Sequence, residues 1–147
     1  MTVAIPLFND RPLAVKRSRW LHHFQVWSPK LKRRVSLYSR ASISVWVLIE
    51  ASPDILSFCE RPGSILVDGA RALADFRIQR DHRTDYFVLQ DSPKLIVLDD
   101  PGGLLHPYPV RTITPEWAQD RAQLISELDS NVARDHQRHA FSRRAFA

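Results

Sequence analysis

Apolar residues in the stretch SRASISVWVLIEASPD recur at helical spacing. Ile43, Trp46, Val47 and Ile49 share the pattern, and Ser39 or Ser42 can cap the start. The β-branched Ile43, Val45 and Val47 suit a strand as well, and Pro53 closes the element under either reading. DILSFCERP then reads as a short strand ending at Pro62. Two further strands, SILV and RALADFRIQ, are joined through Asp68-Gly69, a strong hairpin signal because both central residues of such a turn need positive φ. On the second strand Ala72, Ala74, Phe76 and Ile78 fall on one face, and Leu73, Asp75, Arg77 and Gln79 on the other. DYFVLQ and KLIVLDD are two more strand candidates, DDPGG is a turn, and LLHPYPVRTITP is a connector punctuated by proline.

Thr114, Pro115 and Glu116 make a helix entrance: a capping hydroxyl, a proline at the first helical position and an acid at the positive end of the dipole. Trp117, Leu124, Ile125, Leu128 and Val132 continue it as one apolar stripe, and the basic remainder, RDHQRHAFSRRAFA, is expected to fray. Ahead of all this, RPLAVKRSRWLHHFQVWSPKLKRRVSLYSR mixes cations with Trp20, Phe24, Trp27 and Tyr38. Pro6, Pro12 and Pro29 argue against one continuous helix, so this region reads as an extended, partly ordered arm. The division expected is a basic arm over 1–38, a core over 39–113, and a C-terminal helix with a basic tail over 114–147.

Charge changes the picture more than composition does. A chain of 147 residues, 44% hydrophobic and 25% charged, is ordinary for one globular domain with a sizeable core. Its net charge of +5 is unevenly placed. Through Arg40 there are nine Lys or Arg against the single acid Asp10, and afterwards twelve against fifteen acids. A basic, aromatic-rich leader on a mildly acidic body suggests a polyanion partner, DNA foremost, with Arg17, Arg19, Lys30, Lys32, Arg33, Arg34 and Arg40 as the phosphate-contacting set. The bland alternative is a solvated leader that only keeps the protein in solution. One cysteine, Cys59, excludes an internal disulfide and reads as a small buried side chain, in keeping with a cytoplasmic protein. The six histidines show no zinc spacing, there is no signal pattern, and no apolar run approaches the roughly 20 residues of a membrane span.

Asp75 is the candidate chemical group. It is a lone carboxylate in an apolar run just past the hairpin, on the polar side of its strand, where pairing with Arg71 or Arg77 is the plain structural account. The order of helix, strand, hairpin bearing an acid and neighbouring strand is also the arrangement on which magnesium-dependent nucleases mount their ligands. Carboxylates on adjacent elements there hold a hard cation that polarises phosphate and activates water.

The ordered set formed by the basic arm, the helix, PDILSFCERP and the hairpin ending in ADF resembles the N-terminal nuclease domain of the TnsA transposon endonucleases, over roughly Ser28 to Gln90. The resemblance implies an α/β fold of the restriction-endonuclease-like, PD-(D/E)xK type, a mixed sheet flanked by helices. It implies metal-dependent cleavage of DNA at transposon ends with a transposase or other transposition subunit as partner. Asp75 falls on the family's metal-binding aspartate, and Gln90 falls on the Glu or Gln that closes the next strand. Lys94 lies near the family's lysine, without its two-residue spacing from Gln90. The helix carboxylate of the family falls near Ser42, so a second ligand for Mg2+ would have to come from Glu50 or Asp91. Three readings follow: a TnsA-like endonuclease using Mg2+, a nuclease-like DNA-binding and assembly module without a cofactor, or a protein-interaction domain with no nucleic-acid role.

Overall fold

In the computed structural model, residues 11–16, 19–90, 92–98 and 102–127 are described. The region expected as an extended arm folds from Phe24 onward as a hairpin, β1 (Phe24–Ser28) and β2 (Arg33–Leu37), paired with Trp27 opposite Arg34. Alternation explains it. Phe24 and Val26 are partly buried against the main core, Val35 and Leu37 are fully inside it, and the residues between them face out. Lys32, at φ 54, makes the turn. The hairpin therefore belongs to the core, and the boundary expected at residue 38 cuts through packed structure.

Helix α1 (Arg40–Ala51) forms as expected, with Ser39 as its cap: the Ser42 amide donates to Ser39 Oγ at 3.0 Å. Its buried residues are Ser42, Val45 and Ile49; of the expected Ile43, Trp46, Val47 and Ile49 only Ile49 is fully buried, and the other three are partly exposed. β3 (Ser57–Glu60) follows, then the hairpin β4 (Ser64–Val67) and β5 (Ala70–Leu73), whose turn residues Asp68 and Gly69 both have positive φ as required.

RALADFRIQ is not one strand. It breaks at Ala74-Asp75, because β5 pairs with β4 while β6 (Phe76–Gln79) pairs with β3 and with β7 (Thr84–Leu89). The central sheet has the order β3-β6-β7-β8. Its last strand, β8 (Val110–Ile113), lies within the expected connector and runs parallel to β7. The described residues of KLIVLDD contribute only an isolated bridge between Val97 and Val15.

Residues 115–127 are helical and are termed α2; the Trp117 amide donates to Thr114 Oγ1 at 3.3 Å, the cap foreseen. Its inward residues are Ala118 and Ala122, and Leu124, expected in the stripe, is exposed. Small side chains let the helix lie close to the sheet. Leu128, Val132 and the basic tail fall outside the described residues. The described residues thus form a mixed α/β fold with two helices.

Two cores flank the central sheet. On one side Val45 and Ile49 of α1 and Ala118 of α2 meet Val35, Leu37, Phe58, Phe76, Ile78, Phe87, Leu89 and Ile113. On the other Ile65, Ala74 and Tyr86 pack with Leu105 and Tyr108 beneath the β4-β5 hairpin. Cys59 is fully buried, as expected. Among the described residues no helix is long and apolar enough to cross a membrane.

Candidate functional site

The strand break aims Asp75. Its amide donates to Phe87 O at 3.0 Å and its carbonyl accepts from the Arg61 amide at 2.9 Å, so the backbone is held between two neighbouring segments. The bend turns the carboxylate toward the end of β7 rather than outward beside Arg71 and Arg77. Asp75 Oδ2 accepts from the Leu89 amide at 2.7 Å, and Oδ1 accepts from Ser92 Oγ at 2.9 Å. Neither donor is charged. Burial pushes the carboxyl above its ordinary range, and the bonds from Leu89 and Ser92, with the Arg61 charge, offset this only in part.

Asp75 lines a cavity of about 20 Å³, room for about one water, together with Tyr38, Ser42, Arg61, Ser92 and Leu95. α1 delivers Ser42 through its first turn, where the Ser42 and Ser39 hydroxyls are 2.7 Å apart. Sequence reasoning missed Arg61. Its residue is only 7% exposed, it sits over the Tyr38 ring at 5.0 Å, and its Nη1 donates to Ser36 O at 2.5 Å. Its Nε is buried without a hydrogen-bond partner. The backbone there has φ 43, a left-handed conformation that costs a non-glycine residue about 1 kcal/mol. Burial also lowers the pKa of the guanidinium. A strained, buried and incompletely bonded cation is an unusual thing to keep. The available signal was its position between a buried strand end and the Pro62-Gly63 step.

The other expected site residues lie elsewhere. Glu50 closes the hairpin onto α1: Ser28 Oγ donates to its Oε1, Trp46 Nε1 donates to the same oxygen at 3.2 Å, and the Lys30 amide reaches Oε2 at 3.3 Å. It does not line the Asp75 cavity. Gln90 is exposed, and its amide donates to Ile113 O at 2.9 Å. Lys94 is exposed as well, while its neighbours Pro93 and Leu95 line the cavity. Asp91 lies outside the described residues. No cluster of three or more His, Cys, Asp or Glu side chains poised to hold a metal ion occurs among the described residues.

The basic set divides in two. Arg33 pairs with Glu60 in a bidentate contact, 2.7 and 3.2 Å, that neutralises a fully buried carboxylate. Lys30 Nζ donates to Ser52 O at 2.8 Å and Ile55 O at 2.6 Å, satisfying carbonyls just past the end of α1. These two cations serve the fold. Lys32, Arg34 and Arg40 are exposed, as is Arg19 beside Trp20, while Arg17 falls outside the described residues. Arg34 lies opposite Trp27, which is 59% exposed, so the outer face of the hairpin sets an aromatic ring beside a guanidinium. The first turn of α1 carries Arg40 and no acid, leaving the helix dipole unopposed there.

No known protein family matches this sequence, and neither does any curated protein. Chemistry must therefore be read from the site itself. Among the described residues one carboxylate, two serine hydroxyls and a guanidinium, set among apolar side chains, line a small, partly open niche that can hold a water.

Proposed function

We propose that this chain is a nuclease-like DNA-binding and assembly module of a mobile element, related to the TnsA type and without its cleavage chemistry. One observation carries the reading: the cavity that Asp75 shares with Ser42 also contains the buried guanidinium of Arg61. A site for Mg2+ gathers anionic oxygens, since that ion sheds water reluctantly and needs negative charge around it. Among the described residues the niche has one carboxylate, which accepts hydrogen bonds through both oxygens; a serine stands where the resemblance implies a second acid, and a fixed positive charge lines the same niche. These donors fit Mg2+ poorly. Arg61 instead supplies the cation next to Asp75.

The exposed hairpin face supports the DNA half of the proposal. Trp27 offers a stacking surface, and Arg34, Lys32 and Arg40 offer charge for phosphates, on a chain whose leader is strongly basic. The meeting of Asp75 and Ser42 in one niche favours nuclease ancestry, with an active endonuclease subunit of a restriction-endonuclease-like fold as the second reading. Plasmid nicking in Mg2+ or Mn2+ and anisotropy with a labelled duplex across a salt series separate them. We expect no cleavage, binding that weakens steeply with salt, and a salt slope reduced by about one in Arg34→Ala. Metal-dependent cleavage abolished by Asp75→Ala would overturn the silent-site reading. A chain with no affinity for DNA at low salt would overturn the binding reading.

A further inference from the structure

β8 ends the central sheet, and among the described residues no strand pairs with its outer edge. Pro109 O accepts from the Tyr86 amide at 2.8 Å and Ile113 O from the Gln90 amide at 2.9 Å, which fixes the parity of the ladder. Odd-numbered residues turn their bonding groups to β7, so Val110 and Thr112 turn theirs outward. Both residues are exposed, Val110 to 38%. An open edge of this kind is a template for another strand.

The two faces beside that edge differ in chemistry. Val110 pairs in register with Tyr86 and shares its face, where Ile65, Leu66, Leu104 and Tyr108 line an apolar cleft of about 330 Å³. Leu66 and Leu104 are 54% and 50% exposed there. Arg111 pairs with Phe87 and shares the opposite face, where Arg80, Arg83, Asp85 and Arg111 line a second cleft. Three guanidiniums meet the Asp85 carboxylate there, and Asp54 Oδ2 lies 3.0 Å from Arg80, so the cleft keeps an excess of one positive charge. Arg111 is further steadied over the Trp117 ring, 5.0 Å from its centroid. Val110 borders both clefts.

We propose that β8 is the docking edge for an extended segment of a partner protein whose side chains alternate apolar and acidic. A strand added to β8 must place successive side chains on opposite faces. One set enters the apolar cleft and the other meets the arginines, so the pleat and the charge together select the alternating pattern. This holds independently of whether the hairpin binds DNA.

The test uses the full chain and a fluorescein-labelled heptapeptide alternating valine and glutamate. Its comparators are a valine-lysine counterpart and a block peptide of the same composition as the first, with the glutamates gathered at one end. The alternating acidic peptide should bind about tenfold more tightly than either comparator, and Arg111→Glu should shift the preference toward the lysine peptide. Thr112→Pro removes one outward amide and leaves the β7 ladder intact, so affinity should fall about tenfold with an unchanged far-ultraviolet circular dichroism spectrum. In hydrogen exchange the Val110 and Thr112 amides should gain protection when the peptide binds. Equal affinity for the block peptide, or indifference to Thr112→Pro, would overturn the proposal. So would a chain that sediments as a dimer through this edge and is not dissociated by the peptide, since the occupant would then be a second copy.

Discussion

Asp75 and Asp85 sit at opposite ends of the β6-β7 pair, and both are withdrawn from solvent, yet they are held in different ways. Asp85 is gripped by charge: Arg80 Nη1 donates to Oδ2 at 2.6 Å and Arg83 Nε donates to Oδ1 at 2.8 Å. Both arginines belong to the turn that joins β6 to β7, where the Arg80 amide also donates to Arg83 O at 2.7 Å. The arrangement is a clamp on a hairpin. Asp75 is held by a backbone amide and a serine, while the guanidinium in its cavity spends a hydrogen bond on Ser36 O. A carboxylate whose cations fold around it has its role explained by the fold. One kept beside a buried cation that does not bond to it does not.

Removing the charge should therefore hurt Asp85 more than Asp75. Asp85→Asn weakens two charge-assisted hydrogen bonds at a buried position and should cost about 2 kcal/mol in urea unfolding at neutral pH. A loss near zero would erase the contrast. Asp75→Asn should stay within about 1 kcal/mol of the parent at that pH, because an amide oxygen can still accept from Leu89 and its NH2 can face Ser92 Oγ.

The two variants should also differ in their dependence on pH. Burial holds the Asp75 carboxyl above its ordinary value of 3.8, so in the window above that value the folded chain keeps a proton that the unfolded chain has released. Stability then falls as pH rises through the window and levels off above the folded value. Glu60 is shifted in the same direction, by burial that Arg33 offsets incompletely, so the parent profile contains both groups. Subtracting the Asp75→Asn profile isolates one of them. A difference curve that is flat from pH 3.5 to pH 7, or that slopes the other way, would show that burial does not govern this acid.

Patterning in the chain was enough to anticipate the Asp68-Gly69 hairpin, β7 and the start of α2, and to offer α1 with Ser39 or Ser42 as its cap beside a strand reading, because each rests on local chemistry. Capping hydroxyls, a positive-φ turn and strict alternation act over a few residues. What escaped depends on distant partners. β8 carries the β-branched Val110, Thr112 and Ile113, but Pro107 and Pro109 precede it, Pro115 follows soon after, and its first three residues are exposed; its place is set by β7. Period-two alternation runs through RALADFRIQ with Leu73 as its one exception, and only the competing pairings of β5 with β4 and of β6 with β3 and β7 break the strand at Asp75. That break brought Asp75 into the site with Ser42, and it could not be read without the partners. Arg33 and Lys30 looked like members of a uniform basic set. Their use inside the fold follows from Glu60 and from the carbonyls of Ser52 and Ile55, which only the tertiary arrangement brings near.

The smallest predicted effect tests how the Asp85 clamp divides its load. The Arg83 side chain is 66% exposed and that of Arg80 is 25% exposed, although both bond to the same carboxylate. A solvated guanidinium gains little from its partner, because water screens the attraction and ordering the long side chain costs entropy. Arg83→Ala should therefore cost about 0.5 kcal/mol, and added salt should shrink that loss further. In a cycle with Asp85→Asn, the coupling energy of Arg83 should be smaller than that of Arg80, whose second contact, to Asp54 Oδ2 at 3.0 Å, helps hold it in place. Equal couplings would mean that exposure does not rank the two bonds. The Asp85 clamp would then be a single cooperative unit, and Asp75 would differ from it in the charge of its partners rather than in access to water.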